Sequence, residues 1–150
     1  MKMWKKAASL ALASALVVSL AACGSNGSDD SKEGSSSGSD VFMIGGIGPT
    51  TGNNAIYGTA VKNGIQLAVD EINADGGING YQIEYQFEDD QSDSEKSVNA
   101  YNTLKDWGMQ MLVGTVTSTP CVAVVEETHA DNMFQLTPSA TTVEAVQYDN

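Results

Sequence analysis

The sequence predicts an α/β domain built on a doubly wound parallel sheet, and three observations carry that expectation. Between residues 41 and 150, short apolar runs alternate with amphipathic stretches in the order β-α-β-α-β-α-β-α, the pattern of strands joined by crossover helices. The opening run VFMIGGI has no polar alternation, as suits a strand covered on both faces. Helical stretches stop at glycines, in DGGING and again at Gly108.

Val41–Ile47 is the first strand. Val61, Ile65, Ala68, Val69 and Ile72 recur at three- and four-residue spacing, one apolar stripe of a helix from about Tyr57 to Ala74. Asp75–Gly80 ends it, with Gly76 or Gly77 available for a left-handed cap. Tyr81–Phe87 alternates with period two, as an edge strand would. Val98, Tyr101 and Leu104 share one face of a second helix within Ser94–Gly108. Met109–Gly114 reads as the third strand, Cys121–Asn132 as the third helix and Met133–Leu136 as the fourth strand. A last helix opens near Thr142 and runs for about one turn before the sequence stops, so the chain is read as an incomplete lobe of a longer protein. Right-handed crossovers place every strand-to-helix loop at one edge of the sheet. Ligands of such sheets bind at that edge, where strand order reverses. If the order is 2-1-3-4, the crevice lies between the loops after the first and third strands.

Upstream of the domain, Lys2, Lys5 and Lys6 precede an apolar stretch over residues 7–22 that ends at Cys23. A membrane-spanning helix needs about 20 apolar residues, so residues 1–22 read as an export signal instead. Leu20–Cys23, LAAC, resembles the lipobox of bacterial lipoproteins, which implies cleavage before Cys23, a lipid on its thiol and attachment to the outer face of the cell membrane. Residues 23–40 then contain GSNGSDDSKEGSSSGSD, a Gly/Ser/Asp linker with no apolar side chain to bury. The whole chain carries a formal net charge of −12 and no arginine. Nucleic acid is excluded as a partner, because phosphate backbones are bound by clusters of Lys and Arg. A ligand carboxylate must likewise be held by hydroxyls, backbone N–H groups or helix N-termini. Beyond Cys23 only Cys121 remains, and His129 is the one histidine. An intrachain disulfide and a histidine-based metal site are therefore not expected.

Three loops meet at the predicted edge: GIGPTTGNNAIYG, GTVTSTP and TPSATT, all rich in Gly, Ser and Thr and free of charged side chains. Thr119 is placed to cap the third helix with Pro120 at its first position. Thr141 and Glu144 fit a capping box at the start of the last helix. Both helices would then turn free N–H groups and a positive dipole end to the crevice, an anion site without arginine. Ser118 and Thr141 are the candidate carboxylate ligands, against the plainer alternative that they only cap their own helices. Gly46, Gly48 and Gly52 loosely match a dinucleotide fingerprint, but NNAI intervenes before the helix and Pro49 lacks an N–H. The acidic run EDDQSDSE lacks the spacing of a calcium loop and reads as solvated, with Asp89 or Asp90 placed to brace the sheet edge. Ser118 does not sit in G-x-S-x-G, and eleven helical residues carry His129 about 15 Å from the crevice. Neither they nor Cys121, read as a small residue beneath the loop, suggest catalysis.

With these residues in view, the chain from Val41 onward resembles the branched-chain amino acid binding proteins of ABC transporters. The matching stretches are IGGIGPTTG, YGTAVKNGIQLAVDEINADGGINGYQIEYQFEDDQSD, MLVGTVTSTPCVAV and QLTPSATT. The resemblance implies a periplasmic-binding-protein-like fold of type I, in which two α/β lobes close on a small ligand by a hinge. Residues 41–150 would form the first lobe, incompletely. It further implies a monomeric, non-enzymatic protein without cofactor or metal that captures Leu, Ile or Val and delivers it to a membrane permease. Ser118 and Thr141 match residues that bind the ligand's α-carboxylate, with Thr119 beside them. Ser139 matches a backbone contact to the amine, and Tyr57 a tyrosine at the mouth of the cleft. Pro120 and Cys121 stand where other members have hydroxyl residues, and TTGNNAI is a longer loop; the acidic partner of the ligand ammonium belongs to the second lobe. A sensor module of the same fold, or a related amide or carboxylate solute, is the alternative.

Overall fold

The structure, a computed structural model, describes residues 41–148; the expected signal and the lipidated cysteine with its linker lie outside the described residues. Its elements are β1 (Val41–Gly48), α1 (Ala55–Ala74), β2 (Gln82–Asp89), α2 (Ser94–Trp107), β3 (Met111–Val113), α3 (Ser118–Asp131), β4 (Gln135–Leu136) and a 3-10 turn, Val143–Val146. The strands form one four-stranded sheet of order β2-β1-β3-β4, and every pairing is parallel. Ile44 is in register with Tyr85 on one side and Met111 on the other, so β1 is the strand from which the order reverses.

Helices cover both faces. Ile47, Ala100, Tyr101, Leu104, Met109, Leu112 and Val124 form the core beneath α2 and α3, with Trp107 and Met133 against it. The space over Gly45 is filled from that side by Met109 and Leu104, and over Gly46 from the other by Phe87 and Tyr85. This two-sided cover explains why β1 shows no polar alternation. On the opposite face α1 packs on β1 and β2, with Val69 and Ile83 buried. The α1 stripe is narrower than its spacing suggests: Val61, Ile65 and Ile72 are half-buried, and Ala68 is exposed. Only the β1–β2 edge lies beneath α1, too little surface for the whole stripe. Asn73 compensates at the edge strand, donating from Nδ2 to the Ile83 carbonyl (2.8 Å) and accepting the Ile83 N–H (2.7 Å), which satisfies backbone that an edge leaves open.

Several boundaries move for physical reasons. β2 begins at Gln82 because Tyr81 pairs instead with Ile78 across the preceding turn. β3 is short because the Met109 N–H still bonds the Leu104 carbonyl at the end of α2. α2 ends at Gly108 as expected, and there the glycine adopts φ 101° as a left-handed cap. α3 starts at Ser118, two residues ahead of the Pro120 expected at its first position, after an extended Thr117. Thr119 is therefore inside the first turn and does not cap the helix. The final helix is corrected too: Val143–Val146 is a single 3-10 turn preceded by Thr142, so Thr141 does not cap it and no α-helix begins there.

Candidate functional site

The loops after β1, β3 and β4 gather at the C-terminal edge of the sheet, where the strand order reverses. The second and third of these are joined residue by residue. Gly114 N–H donates to Leu136 O (2.9 Å), Thr137 Oγ1 to Thr115 O (2.8 Å) and Ser139 Oγ to Val116 O (2.6 Å). Thr141 N–H reaches Ser118 Oγ at 3.2 Å. From behind, Gln135 Nε2 donates to Gly114 O (2.7 Å) while its Oε1 accepts from Thr128 Oγ1 (2.8 Å). The loops need these bonds because their irregular backbone leaves carbonyls that no ladder satisfies.

The β1–α1 loop is held from a different side. Asp89, at the end of β2, accepts Thr50 N–H (2.8 Å), Thr51 N–H (3.4 Å) and Gln91 N–H (3.0 Å) on Oδ1, and the Thr51 hydroxyl (2.5 Å) on Oδ2. Desolvation pushes this carboxyl up, but the Thr51 and Thr50 bonds and the Gln91 N–H outweigh it and hold it below its ordinary value. Asp90, fully buried, goes the other way: burial raises it, only partly offset by Ser92 N–H, and the adjacent Asp89 charge adds to the rise. Asn54 Nδ2 makes a further link to Ser92 Oγ at 3.0 Å. Pro49 is seated directly on α1, so close that a Cβ added at Gly58 would lie 1.9 Å from the Pro49 carbonyl oxygen.

Between these two walls lies a depression of 270 Å³ lined by Tyr57, Val116, Thr117, Ser118 and Ser139, none of them charged. The first internal bond of α3 runs from Cys121 N–H to Thr117 O (3.1 Å), so the amides of Ser118 and Thr119 precede it and mark the positive end of the helix. Thr117 Oγ1 is buried in this wall without a hydrogen-bond partner. The structure thus brings Tyr57, Ser118 and Ser139 together and sets the Thr141 amide against Ser118. Thr119 faces a neighbouring depression of 510 Å³ that also takes in Thr142 and Glu144. That hollow is larger, but it lies on the flank of α3 away from Tyr57, whereas the smaller one sits between the β1 and β3 loops, where an open α/β sheet receives its ligand.

The groups considered for catalysis are apart. Ser118 Oγ accepts the Thr141 amide, while His129 lies in the last turn of α3 and stacks on Tyr148 with ring centroids 4.3 Å apart. Cys121 is buried beneath the loop, its sulfur 3.6 Å from Gln135 Nε2. Sequence reasoning missed the structural duties of Gln135, Thr137 and the Ser139 hydroxyl. One signal was available, since Gln135 is the polar member of the otherwise apolar run MFQL.

A family model described as periplasmic binding protein matches residues 42–150. A Leu/Ile/Val-binding protein of Rhizobium johnstonii is 41% identical over 100 residues, covering 67% of this chain and 27% of the relative. A leucine-, isoleucine-, valine-, threonine- and alanine-binding protein of Pseudomonas aeruginosa is 33% identical over 105 residues, covering 70% of this chain and 28% of the relative. Among solved structures, a branched-chain amino acid transporter substrate binding protein from Streptococcus pneumoniae in complex with isoleucine superposes with a TM-score of 0.67 at 36% identity. That match covers 71% of this chain and 31% of the solved one. In each case the chain spans roughly 30% of the relative's length.

Proposed function

The chain belongs to the periplasmic binding protein family, and from that premise we propose that it forms part of a solute-binding protein that captures Leu, Ile or Val for an ABC transporter permease. Membership implies a location outside the cytoplasm and a role in substrate binding rather than turnover. The observation that carries the solute reading is the convergence of Tyr57, Ser118, Ser139 and the Thr141 amide at the start of α3. In this reading the Ser118 and Thr141 hydroxyls and the Ser118 and Thr119 amides hold the ligand carboxylate. The local bonding supports it: the Thr141 N–H donates to Ser118 Oγ (3.2 Å), which leaves the Ser118 hydroxyl hydrogen to donate to a carboxylate oxygen. The Ser139 hydroxyl is engaged by Val116 O, which leaves its backbone as the contact for the ligand amine. Thr119 contributes through its amide, since its side chain belongs to the neighbouring hollow. Tyr57 closes the mouth.

The remaining parts of the proposal follow the sequence. Residues 1–22 direct export, Cys23 carries a lipid that holds the protein at the outer face of the membrane, and residues 24–40 tether residues 41–150, the first lobe, to it as a monomer. The test is calorimetric titration of the complete gene product with Leu, Ile and Val alongside polar and acidic amino acids. Heat with the branched-chain set is expected; no heat with any amino acid sinks the assignment.

A further inference from the structure

Resting on that solute-binding reading, we propose that Asp89 is a positioning residue for ligand capture: it fixes the β1–α1 loop, and with it the Tyr57 wall of the depression. The two walls are anchored independently. Val116, Ser118 and Ser139 belong to loops bonded to each other. The opposite wall depends on residues 89–92, through Asp89 to Thr50 and Thr51 and through Asn54 to Ser92. Asp89 is suited to this by register: it pairs with Gly48, the last residue of β1, so its carboxylate leaves the sheet beside the point where the loop begins. The loop then passes its position to α1 by contact, because Pro49 rests on Gly58, next to Tyr57.

An ionised carboxylate accepts at both oxygens, which suits two N–H donors of the loop and one hydroxyl. Asparagine keeps one accepting oxygen for Thr50 and can donate to the Thr51 hydroxyl, so it preserves part of the arrangement; alanine preserves none. The ligand affinity of the complete gene product should therefore fall in the order wild type, Asp89→Asn, Asp89→Ala, with about a tenfold loss at alanine if one charge-assisted bond's worth of positioning disappears. Because Asp89 acts through the Tyr57 wall, its loss should cost no more than about twofold in a Tyr57→Ala background, the non-additivity of coupled sites. Amide exchange at Thr50, Thr51 and Tyr57 should quicken in ligand-free Asp89→Ala while that of Leu112 in the core stays slow. Thr51→Val, which removes only the hydroxyl donor to Oδ2, provides the same readouts should Asp89→Ala fail to fold. Unchanged leucine affinity in the variants, or an equal loss with and without Tyr57, overturns the proposal. If the wild type itself takes up no Leu, Ile or Val, the solute assignment falls separately. Exchange then decides the matter: quickened loop amides uphold Asp89 as the anchor of that wall, and unchanged amides overturn it.

Discussion

Gly58→Ala and Gly64→Ala change the same residue type in the same helix and should move stability in opposite directions. Both glycines lie within α1. Replacing a helical glycine by alanine ordinarily stabilises by about 1 kcal/mol, because alanine loses less backbone freedom on folding. At Gly64 nothing lies within 4 Å of the added methyl, so the propensity gain stands alone and stability should rise by about 0.5–1 kcal/mol. At Gly58 the methyl would sit 1.9 Å from the Pro49 oxygen and 2.5 Å from its carbonyl carbon, far inside the 3.4 Å at which ordinary contact begins. Those atoms are backbone and the Pro49 ring is fully buried, so relief requires the loop itself to move. Overpacking of that kind costs about 1–3 kcal/mol. With an obstacle that cannot rotate away, the cost falls in the upper part of that range. Set against the propensity gain, the net loss is about 1–2 kcal/mol. Urea unfolding followed by the fluorescence of Trp107 should show the midpoint lowered by roughly 0.5–1 M for Gly58→Ala and raised for Gly64→Ala. A Gly58→Ala protein as stable as the wild type would refute the seating of Pro49 on the helix.

Three further outcomes are expected. Ser118→Ala and Thr141→Ala should each weaken leucine binding by about 1.5–3 kcal/mol, some ten- to a hundredfold by calorimetry; unchanged affinity would mean that these hydroxyls serve only their own loops. Asp90 is buried and its carboxyl is raised, so its ionised form disfavours the folded state at neutral pH, and the penalty disappears as pH falls through the raised value. Asp90→Asn keeps an acceptor for the Ser92 N–H and should unfold at higher urea than wild type at pH 7, with the difference vanishing in acid; loss of stability at pH 7 would count against this. Asp89 has the opposite sign: its lowered carboxyl contributes stability at neutral pH that is lost as pH falls through the lowered value. Cys23→Ser should abolish incorporation of labelled fatty acid and release the protein from membranes, whereas retained label would place the lipid elsewhere.

The sequence by itself determined the layers and the succession of elements along the chain. Periodicity at Val61, Val69, Tyr101 and Leu104, and the unbroken apolar run of β1, record which side of each element is covered, and right-handed crossovers leave few ways to arrange them. That handedness puts the strand-to-helix loops at one edge, while the order 2-1-3-4 was settled by β1 pairing with β2 on one side and β3 on the other, and with it the meeting of Tyr57, Ser118 and Ser139. Tertiary structure alone decided what the polar side chains do at that edge. A hydroxyl's duty depends on which carbonyl lies within 3 Å, a matter of loops brought together from distant parts of the chain. Thus Ser139, 23 residues from Val116, donates to its carbonyl, and Asp89, 38 residues from Thr51, anchors the opposite wall. The same reason explains the misplaced caps. Thr119 and Thr141 carry the right chemistry for a helix start, but the bonds between the β3 and β4 loops fix where the backbone turns. They place α3's start at Ser118 and turn the Thr141 amide onto the Ser118 hydroxyl.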